Sequence, residues 1–124
     1  MKLFLDDNRI PYDVFKLTIN PVYEKNDWEI VKTHAEFVSY IETNGLPEII
    51  SFDHDLSFEH YLEENQSGTI DYNLLNEKTG YHCAVWLIEY CTKNKLKLPQ
   101  CFVHSMNPIG SENIKNILKV FNGL

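Results

Sequence analysis

The sequence predicts a three-layer α/β fold, in which helices cover a truncated parallel sheet of about four strands in the order 2-1-3-4. Three observations predict it. Short apolar runs alternate with segments of helical periodicity, the pattern of βα units. Right-handed crossovers leave few topologies for four such units. The first and third runs both end in acids, Asp6-Asp7 and Asp53-His54-Asp55, and the order 2-1-3-4 sets these two strand ends side by side. In open parallel sheets, ligands bind beyond the carboxyl ends of the strands where the order reverses.

Lys2 to Leu5 is an apolar run closed by acids, hence a buried strand. Residues 8–27 contain Pro11 and Pro21, show little periodicity and have room for a short helix at most. Trp28 to Thr33 alternates as a second strand. Thr33 and Glu36 form a capping box for a helix with Phe37, Val38 and Ile41 on its apolar stripe, and Asn44-Gly45 ends it. Glu48 to Phe52 is the third strand. Residues 57–78 are polar and weakly periodic, and are expected to be an insertion within a single domain spanning 1–124. Thr79-Gly80 opens a helix with Ala84, Leu87, Ile88 and Cys91 on one face. Cys101 to Val103 is the fourth strand. Gly110 and Ser111 lead into a last helix that carries Ile114, Ile117, Leu118 and Phe121, with Ser111 as its N-cap.

The three cysteines match no zinc spacing and read as reduced, mostly buried thiols of a cytoplasmic protein. No apolar run approaches the ~20 residues of a membrane-spanning helix. The net charge of −7 is uneven: residues 48–78 carry −7, and the flanking segments carry −3 and +3. No basic stripe is present, which excludes an extended nucleic-acid groove but leaves a small phosphate ligand or a nucleic-acid end.

Asp6, Asp7, Asp53 and Asp55 place four carboxylates at adjacent strand ends. Carboxylates that close either share a proton or bind a cation, and oxygen ligands suit Mg²⁺, or Mn²⁺ in its place. Capping and strand termination are the plainer reasons for an aspartate at such a place. His54 and His104 each follow an apolar strand and suit proton transfer at neutral pH. Ser105, Asn107 and Gly110 precede a helix start, where amides favour an anion, and Thr79 and Gly80 offer a second such start. Capping explains each of these helix starts as well. Arg9, the only arginine, either forks onto a phosphate or neutralises the aspartates. His60 and His82 have no evident partner in the sequence.

The acid pair after strand 1, Asp53 after strand 3 and Ser105 after strand 4 resemble the receiver domains of two-component signalling, of receiver/flavodoxin-like fold. That resemblance implies Mg²⁺ on Asp6 and Asp7, a phosphoacceptor at Asp53 and a phosphate contact from Ser105. A receiver also has a fifth strand carrying a lysine, which the four βα units here do not include. The closer likeness is to the cyclic-phosphate-processing receiver-like family. Its segments are Leu5-Asp6-Asp7-Asn8-Arg9-Ile10-Pro11, Ser51-Phe52-Asp53-His54-Asp55-Leu56, Thr79-Gly80-Tyr81 and His104-Ser105-Met106-Asn107-Pro108-Ile109-Gly110. It implies action on cyclic phosphate ends of RNA or on related nucleotides.

The expectation is therefore a metal-dependent phosphoesterase. Asp6, Asp7 and Asp53 hold the ion, and His54, His104 and Asp55 handle protons. Arg9, Ser105, Asn107, Gly110, Thr79 and Gly80 surround the phosphate. The alternative is a degenerate receiver that binds a nucleotide or a protein partner without turnover. Without the strand-5 lysine, acetyl phosphate and Mg²⁺ should leave Asp53 unmodified in intact-mass spectra. A stable aspartyl phosphate would restore the signalling role.

Overall fold

The computed structural model describes residues 1–56, 70, 72 and 78–122. Most of the expected 57–78 insertion, with His60, lies outside them. Four strands, β1 (Lys2–Leu5), β2 (Trp28–Val31), β3 (Ile49–Phe52) and β4 (Gln100–Val103), form one parallel sheet in the order β2-β1-β3-β4. This is the predicted receiver-like topology. Among the described residues the helices are α1 (Pro11–Thr18), α2 (His34–Asn44), α3 (Gly80–Lys93) and α4 (Pro108–Asn122), and a 3₁₀ turn spans Pro21–Tyr23.

The strands bury both faces by their period of two. Leu3 and Leu5 of β1, with Ile50 and Phe52 of β3, point into a core shared with Phe37 and Ile41 of α2, Leu87 and Cys91 of α3, and Ile114 and Leu118 of α4. Phe4 points the other way, into a smaller core with Val14 of α1, Tyr23 and Trp28. Ser51 lies between two residues of the larger core, so it faces the smaller one, where its hydroxyl meets Tyr23. Among the described residues no helix is long and apolar enough to cross a membrane.

Helix starts and stops follow local chemistry. Pro11 opens α1, and the Asp13 carboxylate accepts from the Ile10 amide. Thr33 caps α2 as expected, but Glu36 accepts from the Lys32 amide, one residue earlier than a capping box requires. Gly45, at φ +86°, ends α2 in a conformation that favours glycine. At α3, His82 completes the box: Thr79 Oγ1 accepts from the His82 amide, and His82 Nδ1 accepts from the Thr79 amide. The histidine without an evident partner is thus a cap. Helix α4 starts at Pro108, three residues before the expected Ser111 cap. Asn107 is its cap, with Oδ1 accepting from the Gly110 amide and its carbonyl from the Ser111 amide. Proline at N1 fixes the start there.

Two glycines let α3 and α4 approach the end of β3. A Cβ on Gly80 would lie 1.7 Å from the Asp53 carbonyl oxygen, and one on Gly110 would lie 2.3 Å from the His54 ring. The Gly80 contact is with backbone, which cannot swing aside. Gly80→Ala should therefore cost about 3 kcal/mol or more, the upper range for overpacking. Urea denaturation measures it, and a change below about 1 kcal/mol would show that α3 can slide away from the strand.

Candidate functional site at the sheet edge

The parallel register aligns Leu5, Phe52 and Val103 across the sheet. One residue further, the amide of Asp6 bonds the Val31 carbonyl, that of Asp53 bonds Leu5, and that of His104 bonds Phe52. The ladder thus continues one step beyond the strands and sets Asp6, Asp53 and His104 in a row. All three are buried, and one polar atom from each lies within 4.8 Å of the others.

Four donors converge on Asp6. Oδ1 accepts from the Asn8 and Arg9 amides at 2.9 Å each; Oδ2 accepts from Arg9 Nε at 3.2 Å and from His104 Nε2 at 3.0 Å. Burial raises the carboxyl's pKa, but the His104 bond and the two backbone amides outweigh it, so Asp6 titrates below its ordinary 3.8. Burial holds His104 below the usual histidine range, against the opposing pull of Asp6, so its ring is neutral. Those two facts fix a chain of protons. Nε2–H donates to the Asp6 carboxylate, so Nδ1 is bare and accepts the Ser51 hydroxyl at 2.6 Å. Ser51 Oγ in turn accepts from the Tyr23 hydroxyl at 2.6 Å. The ring is also clamped flat on Phe4, with centroids 4.3 Å apart and planes 8° apart.

Asp55 is backed in a parallel way. Its Oδ1 accepts from His54 Nδ1 at 2.6 Å and from Asn107 Nδ2 at 3.1 Å. His54 Nε2 accepts the Tyr72 hydroxyl at 2.8 Å, and that oxygen accepts from Asn113 Nδ2 at 3.0 Å.

A cavity of about 390 Å³ opens above the row. Asp6, Asp7, Arg9, Asp53, Asp55, Ser105 and Asn107 line it, so seven of the expected site residues do meet. Neither histidine lines it, and each has both ring nitrogens engaged by protein groups. The expectation that both face one phosphate is not met. They orient carboxylates instead. Gly110, Gly80 and Thr79 do not line it either: the Gly110 amide bonds Asn107, the Gly80 amide bonds the His54 carbonyl, and Thr79 caps α3. These three shape the packing behind the site. Arg9 takes the ion-pair role, with Nη2 3.5 Å from Asp53 and 3.3 Å from the His104 carbonyl. No role was expected for Ser51, although it heads one of the resembling segments, nor for Tyr23 and Tyr72, which lie in no motif.

Asp53 is the strained member. Burial, then the charge of Asp6, push its carboxyl up to about 8, against Arg9 and the His54 amide. Near neutrality the pair therefore keeps one proton, unless a cation replaces it. Two carboxylates converging beside Asp7 and Asp55 fit a hard cation with oxygen ligands, and His104, whose Nε2 proton points at Asp6, serves as an orienting group behind it.

The sign of the pH effect follows. Between the ordinary 3.8 of Asp53 and its folded value near 8, the folded protein holds a proton that the unfolded chain has lost. Stability from this group therefore falls as pH rises through that window. Asp6 acts below the window, where its stabilisation is lost as pH falls beneath 3.8. Asp53→Asn should raise Tm over wild type at pH 8 in metal-free buffer, with the gap closing towards pH 4. Parallel melting curves for the two proteins at every pH would remove the electrostatic strain assigned to Asp53.

The geometry now has a family to be compared with. The sequence profile of the cyclic-phosphate processing receiver domain matches residues 1–120. No curated protein and no solved structure matches the chain. The matched span takes in all four strands and every residue that lines the cavity. With the parallel order β2-β1-β3-β4, acids at the ends of β1 and β3, and a match over residues 1–120, the chain belongs to the cyclic-phosphate processing receiver domain family.

Proposed function

We propose that the chain is a metal-dependent phosphoesterase that opens a cyclic phosphodiester, such as a 2′,3′-cyclic phosphate on a nucleotide or an RNA end. The observation that carries the reading is the pair of converging carboxylates, Asp6 ionised and Asp53 pushed up to about 8, at the floor of an open cavity. Asp6 and Asp53, with Asp7 at the wall, would hold Mg²⁺ or Mn²⁺. A bound ion of this kind polarises a phosphoryl group and lowers the pKa of water.

The chain's own groups divide the remaining work. Arg9, which pairs with Asp6 at 3.2 Å and reaches Asp53 at 3.5 Å, would give up the longer contact to take a phosphate oxygen. Ser105 and Asn107 line the same cavity. Opening the ring adds water across one P–O ester bond: the hydroxyl goes to phosphorus and the ribose oxygen ends as an alcohol. Asp55, bonded by His54 and Asn107, would take the water's proton and return it to the departing ribose oxygen. His104 keeps Asp6 fixed, through its tautomer, and exchanges no proton with the ligand. One observation favours the second reading, a binding module without turnover: among the described residues no imidazole lines the cavity to act as the usual general base.

The assay supplies nucleoside 2′,3′-cyclic phosphates and cyclic-ended oligonucleotides with Mg²⁺ or Mn²⁺, and follows ring opening by ³¹P NMR. Wild type should convert substrate, and Asp55→Asn should lower the rate roughly 10²–10⁴-fold, the range for general acid–base groups. Asp53→Asn should weaken Mn²⁺ binding in calorimetry. Saturable binding of the cyclic phosphate with no ring opening would transfer the conclusion to the binding module.

A further inference from the structure

The cavity at the sheet edge has two kinds of wall. Asp6, Asp53, Asp55 and Arg9 are polar and largely withdrawn from water. Leu17 of α1 and Met106 of the β4–α4 loop line the same cavity, yet they are 62% and 71% exposed. Single apolar side chains on a surface need no explanation. These two share a cavity with an arginine and four carboxylates, and Ile10 and Ile19, which flank α1, are also more than half exposed. A phosphate and a ribose have no use for such a wall, because their surfaces are covered with acceptors and hydroxyls. A flat group with an apolar face, joined to the phosphate by a short sugar, does.

We infer that Leu17 and Met106 seat the base of a single nucleoside cyclic phosphate. This rests on the cyclic-phosphate reading and narrows it to a ligand the size of one nucleotide. Every base offers a π-face, and the Met106 thioether is a polarizable partner for it. The seat therefore supplies affinity through stacking rather than through base-specific hydrogen bonds. Two observations limit the ligand to one nucleotide. The cavity, about 390 Å³, is near the lower end of the range for small-molecule sites. The chain carries −7 net charge with no basic stripe, so a run of phosphodiesters leading away from the site is repelled.

The chain has two methionines, and Met1 lies before β1, at the end of that strand away from the site. Methyl-labelled methionine therefore gives a probe and its control in one spectrum. Titration with adenosine 2′,3′-cyclic phosphate should shift the Met106 methyl by ring current and leave Met1 unmoved. Ribose 2′,3′-cyclic phosphate, which lacks the base, should bind at least about tenfold more weakly and move Met106 little. Leu17→Ser should erase most of that tenfold difference without changing affinity for the base-free sugar, and Leu17→Met should retain it. Equal affinities for the two ligands, with Met106 unmoved, would overturn the base seat and leave the cyclic-phosphate reading standing. Failure of both ligands to bind would overturn both. Tenfold tighter binding of a cyclic-ended trinucleotide than of the mononucleotide would overturn the limit to one nucleotide.

Discussion

Asp6 is almost wholly buried and still ionised, because its two oxygens collect two backbone amides, a guanidinium and an imidazole. Each donor comes from a different constraint. The Asn8 and Arg9 amides are supplied by the turn that follows β1. The imidazole arrives because the parallel register carries His104 to the same level, two strands away. Its tautomer is set by Ser51 in the intervening strand and by Tyr23 in the 3₁₀ turn beneath the sheet. Charged hydrogen bonds of this kind are roughly twice as strong as neutral ones, and an orphaned charge at this depth would be far more costly than any one of them. The small core, the sheet edge and the cavity floor are thus tied together through one carboxylate.

A fixed charge on Asp6 leaves Asp53 with the difficult position. Arg9 is shared between the two, but its closer contact is with Asp6, at 3.2 Å against 3.5 Å. The second carboxylate therefore lacks a full counter-charge. In metal-free protein a proton supplies it. A divalent ion would supply it more fully and would free Arg9 to turn towards an anion. The arrangement is asymmetric: burial beside a carboxylate that its donors keep ionised near neutrality is what pushes the other up to about 8.

The fold was legible because its signals are local. Four apolar runs, the acids that close the first and third, and the helical stripes between them each lie within a dozen residues, and handedness left few strand orders to choose among. The row of Asp6, Asp53 and His104 was legible for the same reason, since each directly follows an apolar run. The partners behind the row were not. Ser51 is one polar residue inside an apolar strand, and Tyr23 belongs to a segment without periodicity; only the folded sheet brings them to His104. The partners of the two histidines were hidden on the same account, because a histidine at a strand end looks alike whether it faces a ligand or a carboxylate. The α4 cap is different. Asn107-Pro108 is a readable helix start, and the later Gly110-Ser111 drew attention from it.

The close approach of α4 to β3 has a consequence for rates. The His54 ring fills the space that a side chain at position 110 would occupy, with three ring atoms within 2.6 Å of where that Cβ would be. The imidazole cannot rotate there without the first turn of α4 moving outward. That turn is itself pinned by Asn107, which also holds Asp55. Asp55 therefore cannot exchange its partners by a side-chain flip of the fast kind seen at surfaces. A change of partners at Asp55 thus involves the first turn of α4, and the start of that helix and the orientation of a cavity-lining carboxylate are one constraint.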